Sequence, residues 1–148
     1  EKGYTIAVNN RTASKIDEFM LMAKEQGLDG KIVPKADLAE FVQAIKAPRS
    51  IIIMVKAGKP VDDMIEQLLP HLAKGDAIIE CGNSLYTDTA RRYDYLTAKA
   101  IGYLGVGVSG GEVGARHGPS IMVGGSEQQW HNAEKVLTAI AAKFKGEP

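Results

Sequence analysis

Five short polar segments carry the side chains of this chain best suited to chemistry. They are Asn10-Arg11-Thr12, Lys56-Ala57-Gly58, Gly82-Asn83-Ser84, Ser109-Gly110-Gly111 and the run from Gly114 to Pro119. Arg11 offers a planar fork of charged donors that matches a phosphate bidentately; Thr12 sets a hydroxyl beside it and Lys15 lies one helical turn on. The bland alternative is a solvated Arg with Thr12 capping a helix. Lys56 either meets phosphates or is solvated beside a flexible Ala57-Gly58 turn. Asn83 both donates and accepts, which suits a carboxamide or hydroxyl as well as an ordinary turn. Ser109 with Gly110 and Gly111 presents a hydroxyl and closely approachable backbone N–H groups, a cradle for an anion or a polyol. Arg116 reads as loop-stabilising charge, and Cys81 as a small buried residue with no partner to activate it. His71, His117 and His131 make no metal spacing, and no cysteine or carboxylate cluster joins them.

The elements that must position these turns follow from apolar spacing. Tyr4–Val8 is rich in β-formers and predicts a strand closed by Asn9-Asn10. Ile16, Phe19, Met20 and Ala23 recur at helical spacing up to Gly27. Lys31–Val33 is a short strand; Asp37 and Glu40 form a capping-box pattern ahead of Leu38, Phe41, Val42 and Ile45, and Pro48 stops that helix. Ser50–Val55 is apolar without alternation, as in a strand covered on both faces. A helix from Pro60 carries Val61, Met64, Ile65, Leu68, Leu69 and Leu72, with Pro70 bending its last turn. Ala77–Ile79 is a buried strand. Tyr86, Ala90, Tyr93, Thr97 and Ala100 outline a helix. Tyr103–Val108 and Ile121–Val123 read as strands, and Ser126 caps a last helix that buries Ala133, Val136, Leu137, Ile140, Ala141 and Phe144, with Trp130 packing on its face.

This alternation predicts an α/β fold, a Rossmann-like doubly wound, mostly parallel sheet with helices on both faces. In such sheets ligands lie beyond the carboxyl ends of the strands, where all five polar segments fall. An Arg near the end of the second strand accommodates a 2′-phosphate where an acidic residue would take a free ribose hydroxyl. A literal G-x-G-x-x-G at Gly105–Gly110 is a decoy: a dinucleotide fingerprint needs a helix starting inside it, whereas Gly111–Pro119 has further glycines and no apolar period. The chain opens without Met on a strand-like run, so it reads as part of something longer, with the first strand and its glycine-rich fingerprint preceding Tyr4.

Composition narrows the class. Eighteen basic and eighteen acidic residues cancel, which removes the electrostatic footprint of a nucleic-acid binder. The single cysteine rules out a disulfide framework and fits a reducing compartment. No apolar run approaches the roughly 18 residues of a membrane span.

Taken in order, Asn10-Arg11-Thr12, Val55-Lys56-Ala57-Gly58, Gly82-Asn83-Ser84, Val108-Ser109-Gly110-Gly111-Glu112, Gly114-Ala115-Arg116, Gly118-Pro119-Ser120 and Gly124-Gly125 resemble the motifs of the 6-phosphogluconate dehydrogenase family over essentially the whole chain. The resemblance implies that residues 1–148 are a partial NADP-binding Rossmann-type domain, lacking its first strand and followed in the family by a helical domain. It implies oxidative decarboxylation of 6-phosphogluconate to ribulose 5-phosphate by a cytoplasmic homodimer, with the base Lys and acid Glu beyond Pro148 and no metal. Asn10, Arg11 and Thr12 would hold the 2′-phosphate end of NADP, and Val55, Lys56 and Ala57 would line the dinucleotide. Asn83 would lie between nicotinamide and sugar acid, and Ser109, Gly110 and Gly111 would hold the substrate. Cys81 and Val123 depart from the family pattern, which often has Gly and Pro there. A 3-hydroxyisobutyrate-type β-hydroxyacid dehydrogenase and a non-catalytic dinucleotide-binding module are the alternatives.

Overall fold

A computed structural model describes residues 2–148, which divide into two compact units. The first comprises Glu1–Ala47 with Gln67–Leu72, the second Pro48–Glu66 with Ala73–Pro148. In the first unit, β1 (Ile6–Val8) pairs in parallel with β2 (Ile32–Pro34), and α1 (Ala13–Glu25) connects them. Helix α1 buries Ile16 and Ala23. The expected cap on α2 (Leu38–Gln43) is present: the Asp37 carboxylate accepts from the Glu40 N–H at 2.9 Å. Glu40 completes only half of the box, because its own carboxylate pairs with Lys35 at 3.1 Å. Phe41 and Val42 form the buried side of α2.

The second unit is built on a four-stranded sheet in the order β3 (Ser50–Ile53), β4 (Ala77–Glu80), β5 (Gly102–Ser109), β6 (Ser120–Gly125). The first three strands are parallel, and β6 runs antiparallel to β5 with Ser109 opposite Ser120. Side chains alternate between the two faces, as the pleat demands. Ile79, Cys81, Leu104 and Val106 meet Ala133 and Leu137 of α6 (Glu127–Ile140) on one face. Glu80 and Tyr103 fall in the alternate phase with Gly105, on the face where α4 (Tyr86–Thr97) packs on β5. Helices thus cover both faces, as the alternation of elements predicts. A Cβ at Gly105 would stand 2.5 Å from Thr89 Cγ2, so this glycine of the decoy motif admits α4 to the sheet. Each apolar side chain buried here is worth about 1.5–3 kcal/mol.

Several expectations need correction. β3 alternates after all: Ile51 and Ile53 are buried while Ile52 is 47% exposed, since Ile52 stands opposite Ile79 on the face that α6 covers at β5 and β6. The segment after Gly110 is not a plain loop but a short helix, α5 (Gly111–His117). Helix α6 stops at Ile140, where the Ala142 N–H turns away to the Pro119 carbonyl at 2.9 Å, so Phe144 is exposed rather than buried. The proline bend falls where expected: α3 (Lys59–Leu68) passes into a 3₁₀ turn at Leu69–His71.

Candidate functional site

In the first unit the chain leaves β1 through Asn9–Thr12. Asn9 Nδ2 donates to the carbonyls of Lys35 (2.8 Å) and Ala36 (3.1 Å), tying this turn to the loop after β2. Sequence reasoning misses Asn9, whose only signal is an Asx residue ending a strand. Asn10 Oδ1 accepts from the Thr12 N–H at 2.9 Å, an Asx turn that leads the chain into α1. Thr12 occupies the cap position but its hydroxyl makes no cap bond. Arg11 is exposed and makes no hydrogen bond or ion pair among the described residues. Lys15 is engaged, 2.7 Å from Glu18. The first turn of α1 carries no acidic residue. What remains on offer is a guanidinium, an amide NH₂ and a hydroxyl, a donor set with no carboxylate in the first turn of the helix that follows.

In the second unit the turns after β3, β4 and β5 stand side by side, because those strands are neighbours. Lys56, Asn83 and Ser109 are all exposed there, and Val55 and Ala57 are half-buried. Gly110 has φ +137°, and a Cβ on it would lie 2.9 Å from Gly114 Cα, so α5 itself requires this glycine. Gly111 has φ +59°, and a Cβ there would meet nothing within 4 Å, so its space is open.

Behind these turns lies a buried polar cluster that the sequence does not announce. Arg92, 1% exposed, donates from Nε to Asp62 (2.8 Å), from Nη1 to Ser84 Oγ (3.1 Å) and from Nη2 to the Gly58 carbonyl (3.1 Å). The Arg92 hydrogen bond is the main reason the Asp62 carboxyl titrates below its usual range, against the opposing effect of burial. Buried Glu80 accepts from the Gly82 N–H at 2.6 Å. Burial, with the charge of Glu80 adding to it, pushes the Tyr103 hydroxyl up to about 12 and the Cys81 thiol up to about 11. Cys81 is therefore a buried neutral thiol, as its sequence context predicts. The periodicity of α4 misleads when traced on apolar residues and Tyr86, which is 78% exposed; the buried face is Arg92 and Leu96. His71, His117 and His131 are exposed, and among the described residues no group of His, Cys, Asp and Glu could hold a metal ion. Among the described residues no helix is long and apolar enough to cross a membrane.

Parallel strands with helices on both faces, and polar turns gathered at the strands' carboxyl ends, define the Rossmann-like α/β class of nucleotide-binding folds. The model of one family, the NAD binding domain of 6-phosphogluconate dehydrogenase, matches residues 1–146, and the chain belongs to that family. It is 51% identical over 147 residues to the decarboxylating 6-phosphogluconate dehydrogenase of Bacillus licheniformis, covering 99% of this chain and 31% of that protein. It is 50% identical over 148 residues to the NAD(+)-dependent decarboxylating enzyme of Bacillus subtilis (strain 168), with the same coverage of 99% and 31%. The 6-phosphogluconate dehydrogenase of Plasmodium falciparum, solved in its apo form, with NADP+ and with 6-phosphogluconate, superimposes with a TM-score of 0.94 at 39% identity, covering 99% of this chain and 31% of that one. The chain spans 28–31% of the length of the curated relatives it matches.

Proposed function

We propose that residues 1–148 act together as the cofactor domain of an NADP-dependent enzyme that oxidises 6-phosphogluconate and releases CO₂, yielding ribulose 5-phosphate in the pentose phosphate pathway. The observation that carries the choice of cofactor is the β1–α1 turn. Its Arg11 fork is unpaired among the described residues, and no carboxylate in the first turn of α1 competes for it or could accept a free 2′-hydroxyl. This donor set fits a phosphate dianion. Similarity alone does not choose between cofactors, since a relative 50% identical is named NAD(+)-dependent.

In this reading Asn10, Arg11 and Thr12 bind the 2′-phosphate end, and Val55, Lys56 and Ala57 line the dinucleotide. When bound, NADP supplies the hydride acceptor. Asn83 orients the carboxamide against the sugar acid with an amide that can donate and accept. Ser109 and the backbone at Gly110 and Gly111 hold the substrate's oxygens, with Gly111 the more open of the two glycines. The reading extends, through the family resemblance, to a homodimer in the cytoplasm, with no nucleic-acid or membrane partner.

Arg11→Ala in the full-length protein tests the assignment. A charge-assisted hydrogen bond is worth about 1.5–3 kcal/mol, so NADP binding should weaken roughly 10- to 150-fold while NAD binding changes far less. Equal loss for both cofactors would make Arg11 structural and the assignment of this turn wrong.

A further inference from the structure

Arg92 is the largest of the fully buried side chains and the only arginine at 1% exposure among the described residues. An arginine is costly to bury unless its donors are all met. Here each of its three nitrogens has a partner, on three different stretches of chain: the Gly58 carbonyl after β3, Asp62 in the first turn of α3, and Ser84 Oγ after β4. Two of those stretches are the turns that carry Lys56, Ala57 and Asn83. The Gly58 carbonyl also accepts from the Val61 N–H at 3.0 Å, so the same oxygen anchors the start of α3. Gly58 has φ +88°, and a Cβ there would meet nothing within 4 Å. Ser84 adjoins Asn83 directly, and on the other flank Gly82 is hooked by Glu80 at 2.6 Å. Asn83 is thereby left exposed between two restrained neighbours.

We propose that Arg92 is a positioning residue for the cofactor. Its planar fork, spanning Gly58 and Ser84, fixes the spacing of the two turns that present Ala57 and Asn83. The inference rests on the cofactor reading given above. A lysine at this place keeps the charge opposite Asp62 but has one ammonium in place of a fork, so it cannot hold both turns.

The test compares Arg92→Lys and Ser84→Ala with Arg49→Lys in the full-length protein. Arg49 makes the other well-shielded arginine–aspartate pair, with Asp76 at 3.0 Å, at the amino ends of β3 and β4. Wild-type NADP affinity is measured first; if the wild type does not bind NADP, the cofactor reading fails and not this inference. Loosening a turn that lines the ligand should weaken NADP binding about tenfold in Arg92→Lys. Loss of one neutral hydrogen bond should weaken it about threefold in Ser84→Ala. Ser84→Ala should keep its unfolding midpoint within a few degrees; Arg92→Lys, which leaves buried acceptors unmet, should lower its midpoint at least as far as Arg49→Lys, so its NADP affinity is read on the folded protein. Adenosine 2′,5′-bisphosphate, which lacks the nicotinamide half, should bind both variants as it binds wild type. Arg49→Lys should lower the midpoint and leave NADP affinity unchanged. Unchanged NADP affinity in Ser84→Ala and in a folded Arg92→Lys overturns the proposal, as does an equal loss for NADP and the bisphosphate. If Arg92→Lys does not fold, Ser84→Ala decides alone.

Discussion

The two ends of the four-stranded sheet use the same chemistry for different purposes. At the amino end, Asp76 is 1% exposed and accepts hydrogen bonds from the Arg49 N–H (2.7 Å), the Ala73 N–H (2.9 Å) and Arg49 Nη1 (3.0 Å). Around it the backbone closes on itself, Ala77 N–H to the Arg49 carbonyl at 2.7 Å and Gly102 N–H to the Asp76 carbonyl at 2.8 Å. Little is left over to bind anything. At the carboxyl end the arginine–aspartate pair is Arg92–Asp62, with Arg92 buried, while Lys56, Asn83 and Ser109 are exposed and make no side-chain hydrogen bond or ion pair among the described residues. One end commits its polar groups to the fold; the other keeps a satisfied layer beneath an unsatisfied one. Such a division is what a site needs, because side chains that are to bind a ligand must be held by neighbours that do not.

The largest expected effect tests the amino end. Removing one partner of a buried pair costs about 3–5 kcal/mol, so Asp76→Ala should lower the unfolding free energy by about that amount. NADP affinity of the fraction that remains folded should be unchanged. A specific loss of cofactor binding in folded Asp76→Ala would erase the contrast between the ends.

A smaller effect separates two adjacent glycines at the carboxyl end. Gly110→Ala must move backbone, since its Cβ would lie 2.9 Å from Gly114 Cα, and should cost about 2–3 kcal/mol of stability. Gly111→Ala meets open space and should cost only about 1 kcal/mol for its positive φ. If the backbone at Gly111 is approached by substrate, Gly111→Ala should raise KM for 6-phosphogluconate at unchanged midpoint within a few degrees. Steady-state kinetics beside thermal unfolding of both variants checks this.

The mildest test is pH. Burial raises Asp76, but the Ala73 and Arg49 N–H groups and the Arg49 guanidinium outweigh it and leave the carboxyl below its usual value; Asp62 is lowered chiefly by Arg92. For a depressed folded-state pKa the unfolded chain binds the proton first, so the stabilisation is full above about pH 4–5 and fades as pH falls through the folded value. Unfolding midpoints should be flat in this respect between about pH 6 and 8 and decline below about pH 4, with Asp76→Asn declining less than wild type.

Much of this arrangement is legible in the sequence. The order of strands and helices, the Asp37 and Ser126 caps and the polar turns after β1, β3, β4 and β5 all follow from residue type and spacing. What escapes has a common cause: period-based reading tracks apolar side chains. Arg92 occupies a core position of α4 because Asp62, Ser84 and Gly58, distant in sequence, satisfy it, and nothing local announces that. Helix α5 escapes because Gly111-Glu112-Val113-Gly114-Ala115-Arg116-His117 has no apolar stripe; it forms with the Gly114 N–H on the Gly110 carbonyl at 2.8 Å, inside a loop held at both ends.

Those ends are held by β6, whose reversal places Ser120 opposite Ser109 in the ladder. Residues 110–119 therefore form a ring closed by the sheet, and the entropy of closing it is met by the strands and not by whatever the ring contains. Such closure depends only weakly on length, with a doubling costing about 0.6 kcal/mol. Between its glycine anchors at Gly110 and Gly118, whose Cβ positions are blocked, the loop can accordingly be lengthened with little consequence for the sheet that carries it.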